Sequence, residues 1–266
     1  MLKWAMETLD LAAYLDRIHW TGPLAPSMAT LAGIQFAHLA CIPFENLDVQ
    51  MGVAIGLDLD AIQDKLVRRR RGGYCYEKNS LLAAVLGRLG FQVTLRECRV
   101  RRLATRVLPR THLSLQVDLP EGSWLVDGGF GADHPLGPVP FTGATVTHHG
   151  ETYRVSAEGS RQVLQALTAG GWLDLYALEP GQVLPVDLEM ANHYSSTHPS
   201  SRFVQTLTAQ CRSADACWIL RNLELTVQDA GGVRTEPVAE ADLPAVLRDV
   251  FGLEVPEGSR FRFLER

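Results

Sequence analysis

The sequence predicts an α+β protein: a helical N-terminal section, a central antiparallel β-sheet or barrel, and a C-terminal section that mixes the two. Three observations predict it. Apolar residues recur with helical spacing as far as Gly90 and switch to strict alternation from Phe91. Glycine and proline are frequent between residues 128 and 150, as the tight connections of an antiparallel sheet require. No repeat, low-complexity tract or long linker interrupts the chain, so its 266 residues are expected to share one packed body. The sections are expected at 1–90, 91–200 and 201–266.

In the first section Leu11, Tyr14, Leu15 and Ile18 fall at i, i+3, i+4 and i+7, which puts them on one helical face. Ser27 is placed to cap a helix carrying Leu31, Ile34 and Cys41, which Pro43 would stop. Asp58 is placed to cap a third, through Leu59, Ile62 and Leu66. A fourth begins near Cys75, buries Leu81, Leu82, Val85 and Leu89, and ends on Gly90. Strands follow at 91–96, at 111–117 and at Trp124–Val126. In the second of these Leu113, Leu115 and Val117 face one way and His112, Ser114 and Gln116 the other. Further strands are predicted near 151–155, 161–168 and 172–178, with 189–198 loop-like. The last section reads as strands at 203–210, 217–220 and 223–227, a Gly231-Gly232 hairpin, and a helix from Asp242 to Gly252.

Composition narrows the function. A formal net charge of −5 argues against a nucleic-acid binder. The run Arg68-Arg69-Arg70-Arg71 lacks an aromatic stacking platform and reads as the cationic end of a helix. Lys3, Glu7, Asp10, Asp16 and Arg17 interrupt the N-terminus too early for a secretory leader, and no apolar stretch is long enough to span a bilayer. The five cysteines are scattered, with no C-x-x-C pair, so free thiols in a reducing cytoplasm are expected. No metal-ligand signature is present, and Glu189, His193 and His198 match no zinc spacing.

The stretch Arg71-Gly72-Gly73-Tyr74-Cys75-Tyr76-Glu77-Lys78-Asn79 carries the chemistry. Two glycines suggest a tight turn with room beside a cysteine that opens a helix. The partial positive charge and free N–H groups of a helix start favour a thiolate there. His112 lies on a strand face opposite the apolar one. Asp127 ends a strand next to Gly128, Gly129 and Gly131. Cysteine, histidine and aspartate in these settings fit a nucleophile, its base and the group that orients the base. Taken singly, each has a plainer reading: a small buried residue, a hydrogen-bonded core histidine and a turn residue.

With these motifs the sequence resembles the arylamine N-acetyltransferases over nearly its full length. The resemblance is carried by Ile42-Pro43-Phe44-Glu45-Asn46-Leu47, the R-G-G-x-C core ending at Cys75, Thr111-His112, Asp127-Gly128-Gly129-Phe130-Gly131, Tyr194–Pro199 and Arg221-Asn222. It implies a helical bundle, a β-barrel and an α/β lid around a cysteine protease-like catalytic core. It also implies a Cys75–His112–Asp127 triad that takes acetyl from acetyl-CoA as a thioester and passes it to an arylamine or hydrazine. No permanently bound cofactor is implied. Glu45 and Arg71 match an ion pair supporting the nucleophile loop, and Gly129, Phe130, Gly131 and Phe203 match residues lining the pantetheine channel. Gly128 departs from the valine-like residue usual in relatives, and Tyr74 from their usual tryptophan or phenylalanine. Three rivals remain at this level: an amide synthase closing a macrolactam with the same triad, a thiol hydrolase, and a non-catalytic binding module.

Overall fold

A computed structural model describes residues 8–265. Lys3 and Glu7, part of the argument against a leader, lie outside the described residues. Among the described residues, five α-helices occupy the first section: α1 (Leu11–Arg17), α2 (Met28–Cys41), α3 (Leu47–Gln50), α4 (Leu59–Gln63) and α5 (Cys75–Arg88). Their caps follow the sequence. Ser27 Oγ accepts from Thr30 N, Asp58 Oδ1 accepts from Ala61 N, and Gly90 takes the left-handed conformation just past α5. A single π-helical stretch, Asp64–Arg68, continues α4. Beyond it Arg70 adopts positive φ, the chain reverses, and Arg71 turns inward.

Strand β1 (Phe44–Glu45) follows α2. Strands β2 (Gln92–Val100), β3 (Arg110–Leu119), β4 (Gly122–Val126), β5 (Val139–Pro140), β6 (Val146–His148), β7 (Glu151–Glu158), β8 (Arg161–Thr168) and β9 (Gly171–Leu178) form one antiparallel sheet. Its order, β5-β4-β3-β2-β9-β8-β7-β6, curls into a nearly closed barrel. After helices α6 (Pro185–Thr197) and α7 (Arg202–Gln205) come β10 (Thr208–Arg212), β11 (Cys217–Arg221), β12 (Glu224–Asp229), β13 (Gly232–Pro237) and α8 (Leu243–Phe251). A second sheet has the order β1-β10-β11-β12-β13, so two residues from the helical section edge the C-terminal sheet.

Strand β3 positions the site because both its faces are buried. Leu113, Leu115 and Val117 pack against Leu81, Leu82 and Val85 of α5. His112 and Ser114 point into the barrel, towards Cys98 and Tyr176. Each buried leucine contributes roughly 1.5–3 kcal/mol, so this seam fixes α5 against the barrel.

Three expectations need correction. The loop-like stretch is helix α6. Proline stands at its first position and Asp187 Oδ2 accepts from Leu184 N, a sound start. Its buried face includes Asn192, Ser195 and Ser196, so hydrophobic periodicity could not reveal it. The strand expected at 203–210 is instead the short α7, capped by Ser201 Oγ on Phe203 N, followed by β10. Gly72 and Gly73 form no tight turn. Gly73 is extended and bridges Phe44, with Gly73 N donating to the Pro43 carbonyl and Glu45 N to the Gly73 carbonyl.

Candidate active site

The barrel end meets the start of α5 at Cys75. Tyr74, the residue before the helix, donates its N–H to Glu77 Oε2 at 3.1 Å, which closes the first turn. Cys75 is buried, and its Sγ lies 3.6 Å from the Thr111 carbonyl oxygen. The first-turn N–H groups of α5, that of Tyr76 among them, have no intrahelical acceptor.

His112 Nε2 is 2.7 Å from Asp127 Oδ2. Cys75 and His112 line the same cavity, and the thiol adds to Asp127 in favouring the protonated imidazole. Asp127 is fully buried, yet four donors surround it. Oδ2 also accepts from Tyr176 OH at 2.8 Å, while Oδ1 accepts from Asn79 Nδ2 at 3.0 Å and Gly129 N at 2.8 Å. These account for the lone pairs of the carboxylate. Burial opposes its charge, but His112, Asn79 and the Gly129 N–H outweigh burial and hold it below the usual carboxylate range. Burial likewise opposes an imidazolium. The Asp127 charge and hydrogen bond, helped by Cys75, win there too and raise His112 to about 9. Phe130 and Tyr176 stand 4.9 and 4.7 Å from the His112 ring, centroid to centroid, and hold its orientation.

Asn79, one turn after Cys75, ties the pieces together. Besides Asp127 it donates to the Leu113 carbonyl at 2.7 Å, and its Oδ1 accepts from Gly128 N at 2.7 Å. One side chain therefore fixes the helix, the histidine strand and the aspartate loop relative to each other.

The glycines serve close approach, and Gly72 and Gly73 do not face the sulfur as expected. A Cβ on Gly72 would come within 2.4 Å of the Pro43 carbonyl oxygen, and one on Gly73 within 2.7 Å of Glu77 Oε2. A Cβ on Gly128 would stand 3.0 Å from Leu82 and 3.2 Å from His38, which explains why a larger residue does not fit here. Gly129 lies against Lys78 and the Cys75 Cα.

Arg71 and Glu45 do pair: Arg71 Nη2 is 2.8 Å and Nε 3.1 Å from Glu45 Oε1. Glu45 Oε2 accepts from Leu47 N at 2.6 Å. The pair belongs to a larger buried network, because Arg71 also meets Asp48 at 3.0 Å and Lys65 bridges Asp48 and Glu77 at 2.7 and 2.8 Å. Since Glu77 closes the first turn of α5, the network reaches the residue before Cys75. Two of the other three arginines of the basic run are engaged as well: Arg68 with Asp60 at 2.6 Å and Arg69 with Asp64 at 2.8 Å.

A cavity of about 400 Å³ opens over Cys75 and His112. Gly129, Phe130 and Phe203 line it as expected, joined by Phe44; Gly131 does not. Gly131 turns away at φ +92° beneath Gln210, and its carbonyl accepts from His134 Nδ1. Tyr74 packs edge-on against Phe203 at 5.3 Å. Arg102, Arg202 and Arg221 stand at the cavity, and Arg202 and Arg102 add to burial in lowering the Arg221 pKa. Sequence reasoning passed over Asp48, Lys65, Tyr176 and the bonding role of Asn79. Only Asn79 left a signal, four residues after Cys75 on the same helical face.

A buried thiol at a helix start, an imidazole in the same cavity and a carboxylate behind the imidazole make a site suited to acyl transfer, and comparison with known proteins gives the family. The family model described as N-acetyltransferase matches residues 27–260. A curated arylamine N-acetyltransferase of Mycobacterium tuberculosis is 41% identical, across 94% of this chain and 91% of that one. A solved structure of the M. tuberculosis enzyme superposes with a TM-score of 0.88 at 40% identity, covering 91% of this chain and 93% of the other. The Mycobacterium marinum enzyme in complex with CoA gives 0.86 at 39%, covering 91% and 92%. The chain belongs to the arylamine N-acetyltransferase family and is an acyltransferase.

Proposed function

We propose that this enzyme carries acetyl from acetyl-CoA to the nitrogen of arylamines or hydrazines, through a thioester on Cys75, in two half-reactions. The observation that carries the proposal is the 2.7 Å His112–Asp127 bond, on an imidazole that shares one cavity with the Cys75 thiol at the start of α5. An imidazole that the Asp127 carboxylate raises to about 9 is a base strong enough to take the thiol proton. The thiolate then attacks the acetyl carbonyl. First-turn N–H groups of α5 receive the developing oxyanion, and CoA leaves as its thiol with the proton held on His112. In the second half the amine attacks the thioester, His112 accepts its proton, and Cys75 is released. Arylamines and hydrazines are uncharged at neutral pH, so they need no prior deprotonation.

Transfer must outrun hydrolysis. The rings of Phe44, Phe130 and Phe203 around the cavity favour an organic amine over water. The arginines at the mouth favour a phosphate-bearing co-substrate, in keeping with the CoA named in the M. marinum complex. Gly129, Phe130 and Phe203 line the pantetheine path in this reading, and Glu45 and Arg71 hold the nucleophile loop. Free thiols at all five cysteines fit a cytoplasmic enzyme, and among the described residues no helix is long and apolar enough to cross a membrane.

Mass spectrometry of the protein mixed with acetyl-CoA alone tests the first half-reaction. One acetyl group is expected on the peptide containing Cys75, absent in Cys75→Ala and discharged by an added aniline or hydrazine. A Cys75→Ala protein that still acetylates an arylamine would remove the nucleophile from this scheme.

A further inference from the structure

A second cavity, of about 1050 Å³, lies on the far side of α6 from Cys75. One of its walls is a single face of that helix, running from Pro185 through Leu188, Asn192 and Ser196 to Thr197. These positions follow the three- and four-residue spacing of one helical stripe, so the trough extends along all 13 residues of α6, about 20 Å. The opposite wall is apolar and includes Ile55, Leu57, Ile62, Val93, Leu95 and Val183. No residue lines both this trough and the cavity over Cys75. The helix is the partition: Tyr194 and Ser195 face the thiol cavity, Asn192 and Ser196 the trough.

Asp58, Ser80 and Thr94 interrupt the apolar wall, while Asn192, His193, Ser196 and Arg262 stand on the side of α6. Asn192 is committed, donating to the Ile55 carbonyl at 3.0 Å and accepting from Tyr74 OH. Asp58 is occupied in capping α4 through Ala61 N. Glu189 is exposed and lies seven residues before Ser196, about 10 Å along the helix. Arg262 stands at the Ser196 end, and among the described residues its side chain makes one hydrogen bond, a long one, from Nη1 to the Ser196 carbonyl at 3.4 Å. Among the described residues no carboxylate pairs with it. The trough thus offers an apolar wall with a single guanidinium at one end. A planar fork of donors matches a carboxylate, which it can grip with two parallel bonds.

We propose that this trough is a second ligand site, for an elongated apolar carboxylate whose body lies on the Ile55–Val93 wall and whose head group meets Arg262. A cavity of this size with apolar walls and one well-placed charge has the make-up of a small-molecule site. A straight-chain fatty acid of medium length is the simplest such molecule.

Isothermal titration with decanoate, with and without saturating CoA, tests this and involves no turnover, so it is decided separately from the acetyl-transfer scheme. Decanoate is expected to bind one per chain with an affinity that CoA leaves unchanged. Octanoate should bind several-fold more weakly, up to about 15-fold, because two methylenes leave the wall. Decanol should bind at least about tenfold more weakly than decanoate, the worth of one charge-assisted pair. Arg262→Gln should bring decanoate down to the level of decanol. No binding, displacement of decanoate by CoA, or equal affinity for decanol and decanoate would each overturn the proposal. Should Arg262→Gln fold poorly by circular dichroism, the decanoate–decanol contrast on the unaltered protein decides alone.

Discussion

Two buried polar clusters flank the start of α5, and they obey opposite rules. On the barrel side His112, Asp127, Asn79 and Tyr176 satisfy one another, and the carboxylate accepts from four donors. On the α2 side Lys78 donates to the Ile42 carbonyl with no carboxylate partner, beside His38 and His134, whose Nε2 atoms find no protein partner. Burial is the largest influence on every cation in both clusters, and it disfavours charge in each. His112 is nevertheless raised to about 9, whereas Lys78 falls to about 7, His134 to about 3, and His38 well below its ordinary value. The depth is the same; what differs is a carboxylate in direct contact. Between these two clusters, the one whose cation touches a fully hydrogen-bonded carboxylate is the one in which charge is favoured.

Breaking the satisfied cluster should have the largest effect. Asp127→Asn keeps the shape but presents an amide in place of the charge that holds His112 near 9, so the imidazole returns towards its ordinary range. We expect kcat/KM for arylamine acetylation to fall about 10³–10⁴-fold, with the rate of Cys75 alkylation at pH 7 falling alongside it. A loss below tenfold in both would leave Asp127 a merely structural residue.

The ionic network behind the nucleophile loop comes next. Glu45 is buried and its Oε1 carries two bonds from Arg71, so Glu45→Gln leaves a largely buried guanidinium short of a counter-charge. Destabilisation of about 3–5 kcal/mol is expected by urea unfolding. Asp48 still pairs with Arg71, and a cost near zero would mean that it suffices alone. The double variant Glu45→Gln, Arg71→Met should recover part of the loss, since the stranded charge goes too.

How much of this was legible in the sequence follows from the kind of interaction. Helices α2 and α5 and strand β3 announced themselves because their buried faces are apolar and periodic. Helix α6 did not, because Asn192, Ser195 and Ser196 are the residues it buries, and a polar buried face leaves no hydrophobic period. The proposed Cys75–His112–Asp127 set drew attention because glycine-rich stretches surround Cys75 and Asp127, though the glycines admit Pro43, Glu77 and Leu82 rather than opening space around the thiol and carboxylate. Tyr176 was invisible. It reaches Asp127 across the barrel from a strand 49 residues on, a contact that only the strand order β2-β9 creates. Lys65 and Asp48 were likewise hidden, since their pairing depends on the π-helical reversal before Arg71.

The smallest effect separates the two clusters by sign. His112 has a raised folded pKa, so its stabilisation is complete below about pH 6.5 and is lost as pH rises through about 9. Lys78 is depressed from about 10.4 in the unfolded chain to about 7. Between those values the unfolded chain binds more protons, so this group's penalty is complete below pH 7 and disappears by about 10.4. Across pH 7–9 the two slopes oppose each other. Lys78→Met removes the penalty but deprives the Ile42 carbonyl of its donor, which costs about 1–3 kcal/mol. The net change should therefore be small, most favourable to the variant at pH 6 and progressively less so at pH 8 and pH 10. Urea midpoints at those three values read the trend directly. Parallel curves for the two proteins would mean that Lys78 keeps its ordinary pKa and that the lone carbonyl, unaided by a carboxylate, is enough to hold a charge in this core.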